Sequence, residues 1–310
     1  MNGKQFGVVL IGVVIVLATL GAASLVASPA DDSIELKVVT SFYPLAYLAE
    51  RIGGENVTVS TLIPYNMEVH SWYPSASDIL QADMADVFIY NGAGLEPWIE
   101  NEIIPIIDDN PKIILETTAE INLEEGHEDD HHDHGGLDPH TWISPFLARK
   151  QAEAIYLAFV EADGANASYY GQRWANLDSL LQEMDDRYLD RLASTQFHTI
   201  FVTHTAYNYL AERYGFEQEG VLGISANEQP SPSTIADLAD RMVDEGIYTL
   251  FLDPVFSDDY IQTLKSEVED RTLISVDVLK LYLMTGPAES MDYIEQMEAN
   301  LENLVQGLGG

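Results

Sequence analysis

The feature that most constrains the fold is a regular alternation of short β-branched runs with amphipathic segments, from residue 34 onwards. Strands that alternate with helices imply parallel sheets with helices on both faces, because each crossover helix brings the next strand back parallel to the last. We therefore predict an α/β fold of two lobes, each with a four-stranded, mostly parallel sheet flanked by helices. The predicted strands are residues 34–40, 57–63, 87–91 and 112–115 in the first lobe and 199–203, 217–222, 248–252 and 273–276 in the second.

One long helix is predicted between the lobes, over residues 166–193. Its apolar stripe, from Tyr170 to Tyr188, advances in steps of four and three residues over about five turns, and no proline interrupts it. The helix either belongs to the surface of one lobe or forms a rigid rod that joins both. A flexible linker is disfavoured, because the stripe continues nearly to the boundary. The predicted lobes are accordingly residues 34–165 and 194–310.

The N-terminal segment, residues 1–33, is predicted to direct export. Residues 6–27 carry no charge and follow Lys4, which is typical of a secretory signal or of an anchor of the ~20 residues that span a bilayer. Residues 28–30 offer a small-x-small cleavage site, and the length of the run slightly favours an uncleaved membrane anchor. The chain has no cysteine, so the usual bacterial lipoprotein attachment is excluded. We expect an extracytoplasmic protein, at the cell surface or in a periplasm-like space.

The charge of the chain excludes several classes of partner. It has 51 acidic and 14 basic residues and a formal net charge of −37, so little is available to neutralise the phosphates of nucleic acid or anionic lipid. Such an acidic surface suits a high-salt environment, in which its charge is screened. Without cysteine, any metal ion must be bound by His, Asp, Glu or carbonyl oxygen.

Histidine is concentrated in one acidic loop, residues 126–136. Four of the eight histidines of the chain lie there: His127, His131, His132 and His134. The tract is too polar to build a core, and a solvated acidic loop is the plain interpretation. We favour an accessory loop that collects divalent cations, because histidine adds little to solubility and much to metal affinity.

A second set of candidate metal ligands lies at the ends of predicted strands: His70, His140, His204 and Asp277. Ligands of parallel α/β sheets bind beyond the carboxyl ends of the strands, so two residues from each lobe meet in the cleft between them. Three imidazoles and a carboxylate fill a tetrahedral zinc sphere. Taken singly, each histidine has a hydrogen-bonded structural role as an equal alternative, and Asp277 is more often a helix N-cap. Their joint placement favours a metal site.

Four segments carry a resemblance to a known family: residues 70–78 (HSWYPSASD), 91–98 (NGAGLEPW), 138–145 (DPHTWISP) and 204–215 (HTAYNYLAERYG). In order and spacing they resemble the zinc- and manganese-specific substrate-binding proteins of ABC importers, the ZnuA-like and TroA-like group. The resemblance implies two α/β lobes joined by a long rigid helix, with the ion buried between them. It implies the same four ligands, and zinc rather than manganese, because histidine at the position of His204 goes with zinc.

The chain departs from the pattern of the family beside its ligands. Val69, Tyr73, Thr205 and Asp253 stand where other residues are common, which weakens the transfer of contacts that tune the ligands. Glu68, two residues before His70, is either an auxiliary ligand or an exposed acid, and we favour the exposed acid.

The function predicted from these features is capture of Zn²⁺ between the lobes and its delivery to an ABC permease. The chain has no G-x-x-x-x-G-K-[ST] loop, so a separate ATPase subunit must hydrolyse ATP. We expect a monomer that is not an enzyme and whose affinity falls as pH falls through the histidine range. The alternatives are a manganese- or iron-binding relative, an adhesin, and a secreted zinc hydrolase. The hydrolase is disfavoured because G-x-S-x-G is absent and Asp277 fills the position that water needs.

Overall fold

Two four-stranded parallel sheets organise the chain. The structure is a computed structural model, and it describes residues 35–107, 113–124, 136–223 and 229–310. The first sheet has the order β2-β1-β3-β4 and the second the order β6-β5-β7-β8, with every neighbouring pair parallel. The strands are β1 (Leu36–Thr40), β2 (Val57–Thr61), β3 (Val87–Tyr90), β4 (Ile113–Glu116), β5 (Thr199–His204), β6 (Glu217–Leu222), β7 (Thr249–Leu252) and β8 (Asp277–Lys280). The predicted fold class is confirmed.

Helices flank both sheets. They are α1 (Tyr43–Gly53), α2 (Ala76–Asp83), α3 (Pro145–Ala162), α4 (Ala167–Leu192), α5 (Asn208–Tyr214), α6 (Pro232–Glu245), α7 (Asp259–Thr272) and α8 (Tyr293–Gly307). Between β3 and β4 the chain forms one short π-helical segment, Ile99–Ile103. Across the described ranges, none of the helices combines the length and the apolar character that a membrane span requires. The predicted signal or anchor, residues 1–33, lies outside these ranges.

The long helix α4 packs against both halves of the molecule. Its predicted stripe is buried at Tyr170, Leu181 and Tyr188, and each large apolar side chain removed from water contributes about 1.5–3 kcal/mol. One end of the helix packs against α1 and α3, and the other packs against α5 and α8. Near that second end the Tyr188 hydroxyl donates to the carbonyl oxygen of Met297 in α8, at 2.7 Å. These contacts fit a rod shared by the two halves, while the lobe boundaries at residues 165 and 194 stay a prediction.

Contacts around Trp142 join the segments that follow the two sheets. The indole is fully buried, and its Nε1 donates to the carbonyl oxygen of Leu283 at 2.8 Å. The hydroxyl of Tyr293 donates to the carbonyl oxygen of Trp142. Phe42 packs edge-on against the indole, with ring centroids 4.7 Å apart. The loop that precedes α3 is therefore held against the segment that follows β8.

One predicted strand, over residues 273–276, is wrong. Leu273 instead ends α7 in the left-handed region, with φ of 60° and its N–H donating to the carbonyl oxygen of Glu269 at 2.8 Å. Leu273 is 92% exposed and Ile274 is 44% exposed, so this apolar run belongs to a surface connection. The strand β8 begins only at Asp277, which therefore lies at the amino end of this strand.

Candidate metal centre

Of the four residues predicted to bind a metal ion, the three histidines lie together. His70 lies in the loop between β2 and α2, His140 precedes a short 3-10 turn before α3, and His204 is the last residue of β5. One potential ligand atom from each histidine lies within 4.8 Å of the other two. The cluster therefore joins two loops that follow the first sheet to the carboxyl end of a strand in the second.

The spacing of the histidine nitrogens fits a zinc ion. Nε2 of His70 and Nε2 of His140 are 3.2 Å apart. Zinc binds imidazole nitrogen at about 2.0–2.1 Å, so two nitrogens of a tetrahedral site lie about 3.3–3.4 Å apart. The His70–His140 pair therefore spans nearly the length of one edge of a zinc tetrahedron. His204 approaches both rings, with centroids 5.7 Å from that of His70 and 5.0 Å from that of His140.

A buried carboxylate fixes the orientation of His140. Oδ1 of Asp138 lies 2.7 Å from Nδ1 of His140 and accepts the backbone N–H of the same residue at 3.0 Å. An imidazole that donates from Nδ1 to a carboxylate presents the lone pair of Nε2 to a metal ion. The hydroxyl of Tyr209, in α5, donates to the carbonyl oxygen of Asp138 at 2.7 Å, so the second half of the molecule also holds this loop.

Burial keeps two of the histidines neutral. Desolvation lowers the pKa of His140 to about 3. Desolvation, followed by the proximity of His140 and His204, lowers the pKa of His70 well below its ordinary value. Because a metal ion competes with protons for the same nitrogen lone pairs, both side chains are ready to bind a cation at neutral pH.

Glu68 supports the backbone at His70. Its carboxylate accepts the N–H of His70 at 2.8 Å and the N–H of Ser71 at 2.9 Å. The side chain is half-buried and lines the same pocket as the three histidines. Its interpretation as an exposed acid is therefore wrong. The contacts show a group that shapes the turn carrying the first histidine.

The fourth predicted ligand, Asp277, is not brought to this cluster. It is the exposed first residue of β8, it pairs with Thr249 at the start of β7, and its N–H donates to the carbonyl oxygen of Tyr248. The histidines lie beyond the carboxyl ends of strands, whereas Asp277 lies at the amino end of its strand. The prediction failed because it placed a strand before Asp277 instead of after it.

The acid that does follow a strand of the second sheet is Asp253, directly after β7. It is 3% exposed. One carboxylate oxygen accepts the N–H of Val255 at 2.7 Å, and the other accepts the N–H of Leu283. Val255 and Leu283 line the histidine pocket, so Asp253 holds two segments of its wall. Its position directly after a correctly predicted strand was the sequence signal for this role.

The loop histidines His127, His131, His132 and His134 lie outside the described residues.

The fold and the buried histidine cluster define the class, which is that of α/β metal-binding substrate-binding proteins. Residues 38–307 match the family model described as "Zinc-uptake complex component A periplasmic", and the chain belongs to this family. The resemblance read from the sequence motifs is thereby confirmed. Proteins of this family bind a metal ion and work with an ABC transporter, and they are not enzymes, in agreement with the predicted absence of enzymatic activity.

Individual relatives are similar over nearly their whole length. The high-affinity zinc uptake system protein ZnuA of Bacillus subtilis is 29% identical over 302 residues, which cover 95% of this chain and 94% of that protein. The manganese-binding lipoprotein MntA of Halalkalibacterium halodurans is 28% identical, with 99% of each chain covered. Among solved structures, the Zn(II)-bound ZnuA-like domain of Streptococcus pneumoniae AdcA has a TM-score of 0.76 and 26% identity, covering 89% of this chain and all of that domain.

Proposed function

We propose that this protein captures Zn²⁺ between its two halves, outside the cytoplasm, and delivers the ion to an ABC permease. The observation that carries the proposal is the cluster of His70, His140 and His204, two of them almost fully buried. Three imidazoles favour zinc over manganese, because softer nitrogen ligands suit zinc while manganese prefers oxygen. The similarity to a zinc uptake protein supports the same ion, and manganese is the alternative that the second relative represents.

The three histidines are the proposed protein ligands of the ion. His70 and His140 belong to loops of the first half, and His204 belongs to the second, so a bound ion bridges the two halves. Because the ion binds only when all three side chains are assembled, it stabilises the closed arrangement by mass action. Delivery then requires the halves to separate, which breaks the contact between Trp142 and Leu283.

The remaining parts of the proposal concern how the protein is exported and which partners it has. Residues 1–33 act as a cleaved signal or as a membrane anchor, and a separate ATPase subunit supplies the energy for transport. The His-rich loop, residues 126–136, acts as an accessory site of weaker affinity that raises the local zinc concentration. We propose that the protein works as a monomer, since one chain carries all three histidines.

The proposal is tested by competitive metal binding to the full chain. Zinc and manganese are supplied together, a chelator removes weakly held ions, and the bound metal is measured by elemental analysis. We expect one chelator-resistant zinc per wild-type chain, loss of that zinc in His204→Ala, and retention in His198→Ala, a matched control because His198 is exposed. Preference for manganese, or retention of zinc by His204→Ala, would contradict the proposal.

A further inference from the structure

One polar side chain in the wall of the histidine pocket has no hydrogen-bond partner. Thr285 is 4% exposed, and its Oγ1 finds neither donor nor acceptor within the part of the chain that the structure describes. It lines the same pocket as His70, His140 and His204. A buried hydroxyl without a partner costs free energy, so such a group in a binding pocket points to a ligand that satisfies it.

The other polar side chains of this wall, apart from the histidines, are already engaged. The Glu68 carboxylate accepts two backbone N–H groups, and Nε1 of Trp142 donates to a backbone carbonyl. The rest of the lining, Val69, Val255 and Leu283, has apolar side chains. Apart from the histidines, Thr285 is therefore the polar side chain of this wall that has no hydrogen-bond partner among the described residues.

The position of Thr285 is fixed by the loop that carries His70. The N–H of Asn66 donates to the carbonyl oxygen of Thr285 at 3.1 Å, and Nδ2 of Asn66 donates to the carbonyl oxygen of Pro287 at 3.0 Å. Between them, Gly286 packs so closely that a Cβ there would lie 2.6 Å from the nitrogen of Asn66. These contacts hold the backbone of Thr285 at a defined place relative to the loop that carries His70.

The coordination preferences of zinc indicate which ligand the Thr285 hydroxyl contacts. Three imidazoles leave a tetrahedral zinc with one open position, and Asp277, at the exposed amino end of β8, is not part of the histidine cluster. A neutral threonine is not among the usual protein ligands of zinc, whereas water is, and a zinc-bound water is a strong hydrogen-bond donor because the ion makes it acidic. A hydroxyl oxygen in the pocket wall can accept a hydrogen bond from that water.

We infer that the Thr285 hydroxyl accepts a hydrogen bond from the water molecule that completes the coordination sphere of the bound ion. This inference rests on the proposed function, and it adds a positioning residue from the segment after β8. It also makes the fourth position exchangeable, since a water is replaced more easily than a protein side chain. An incoming ligand displaces this water first, so Thr285 tunes both the affinity for zinc and the rate of its release.

The test compares three variants of the full chain. Thr285→Val keeps the shape and removes the hydroxyl, Thr285→Ser keeps the hydroxyl, and Thr195→Val is the matched control. Thr195 is also buried, but its hydroxyl already donates to the carbonyl oxygen of Leu192 at 3.1 Å. Zinc affinity is measured by chelator competition, stability by urea unfolding without metal, and the geometry of the site by the visible spectrum of the Co²⁺-substituted protein.

The inference predicts opposite effects on binding and stability. Thr285→Val should bind zinc about three- to tenfold more weakly, the value of one hydrogen bond, with an altered Co²⁺ spectrum. Its metal-free form should be as stable as wild type or more stable, because an unsatisfied group is gone. Thr285→Ser should restore both affinity and spectrum. Thr195→Val should lose stability while its affinity stays unchanged.

Two results would overturn the inference, and they are distinguishable. If the wild type binds one zinc through the histidines and Thr285→Val matches it in affinity and spectrum, Thr285 does not contact the ligand and the proposed function stands. If His204→Ala retains the zinc of the wild type, the proposed function is wrong, and the inference about Thr285 is wrong with it because it rests on that function.

Discussion

Zinc binding at the histidine cluster should resist acid better than an exposed three-histidine site. The perturbation is a fall from pH 7.5 to pH 5.5. Three histidines with the ordinary pKa of about 6.5 would each lose about tenfold in effective affinity at pH 5.5, which is on the order of a thousandfold together. Burial lowers the pKa of His140 to about 3 and that of His70 well below its ordinary value, so neither contributes to the loss. We therefore expect a decrease of no more than about tenfold.

The sign of the effect follows from proton linkage. A histidine whose pKa is lowered in the folded protein contributes stability that is present above pH 6.5 and lost as pH falls towards the folded pKa, because the unfolded chain takes up the proton first. For His140 this window extends from about pH 6.5 down to about pH 3. His70 and His140 thus stay neutral through the ordinary titration range of histidine.

The assay is chelator competition at several pH values, corrected for the protonation of the chelator. It follows the single tight site, since the loop histidines of residues 126–136 titrate separately. A loss on the order of a thousandfold by pH 5.5 would refute the reasoning, because it is the behaviour of three histidines with ordinary pKa values. The expectation from sequence that binding weakens through the usual histidine range stays a prediction, and the burial of His70 and His140 limits the size of that loss.

Two further predictions concern the support of the site and of the long helix. Asp138→Asn removes the carboxylate that orients His140, so zinc affinity should fall about 10- to 100-fold with one ion still bound; unchanged affinity in the same competition assay would contradict this role. Asp185 in α4 is 1% exposed and accepts hydrogen bonds from Arg213 at 2.6 and 2.5 Å and from the Tyr214 hydroxyl at 2.8 Å. Asp185→Ala should lower the free energy of unfolding, measured in urea, by about 2–3 kcal/mol. The variant leaves the partly exposed Arg213 in contact with solvent, but it leaves the buried Tyr214 hydroxyl without its acceptor. A loss below about 0.5 kcal/mol would show that the network contributes little.

The sheets and long helix were predictable because their apolar patterns coincide with burial. The stripe of α4 is one example, and the buried run Thr199–His204 is another. Pattern reasoning failed at Leu273 and Ile274, which are apolar but exposed. Periodicity does not distinguish an exposed connection from a strand when the run is short. The error in Asp277 followed directly from that misplaced strand.

The candidate site was predictable only in part. His70, His140 and His204 were found because each follows a strand, and parallel sheets collect ligands at that edge. Thr285 could not be found, because a single threonine in a loop has no pattern and its role depends on contact with Asn66, 219 positions earlier in the chain. Asp138 was part of a recognised motif, but its contact with His140 became visible only in the folded geometry.

The central claim is that three imidazoles hold one zinc ion, and X-ray absorption at the zinc edge tests it most directly. The sample is the full chain with one equivalent of zinc, in a variant whose loop histidines His127, His131, His132 and His134 are replaced by alanine. Without these side chains, a zinc ion bound by several imidazoles must be bound at the buried cluster. The account predicts three imidazole nitrogens at about 2.0 Å and one further light ligand. A first shell dominated by carboxylate oxygen, with one imidazole or none, would contradict it.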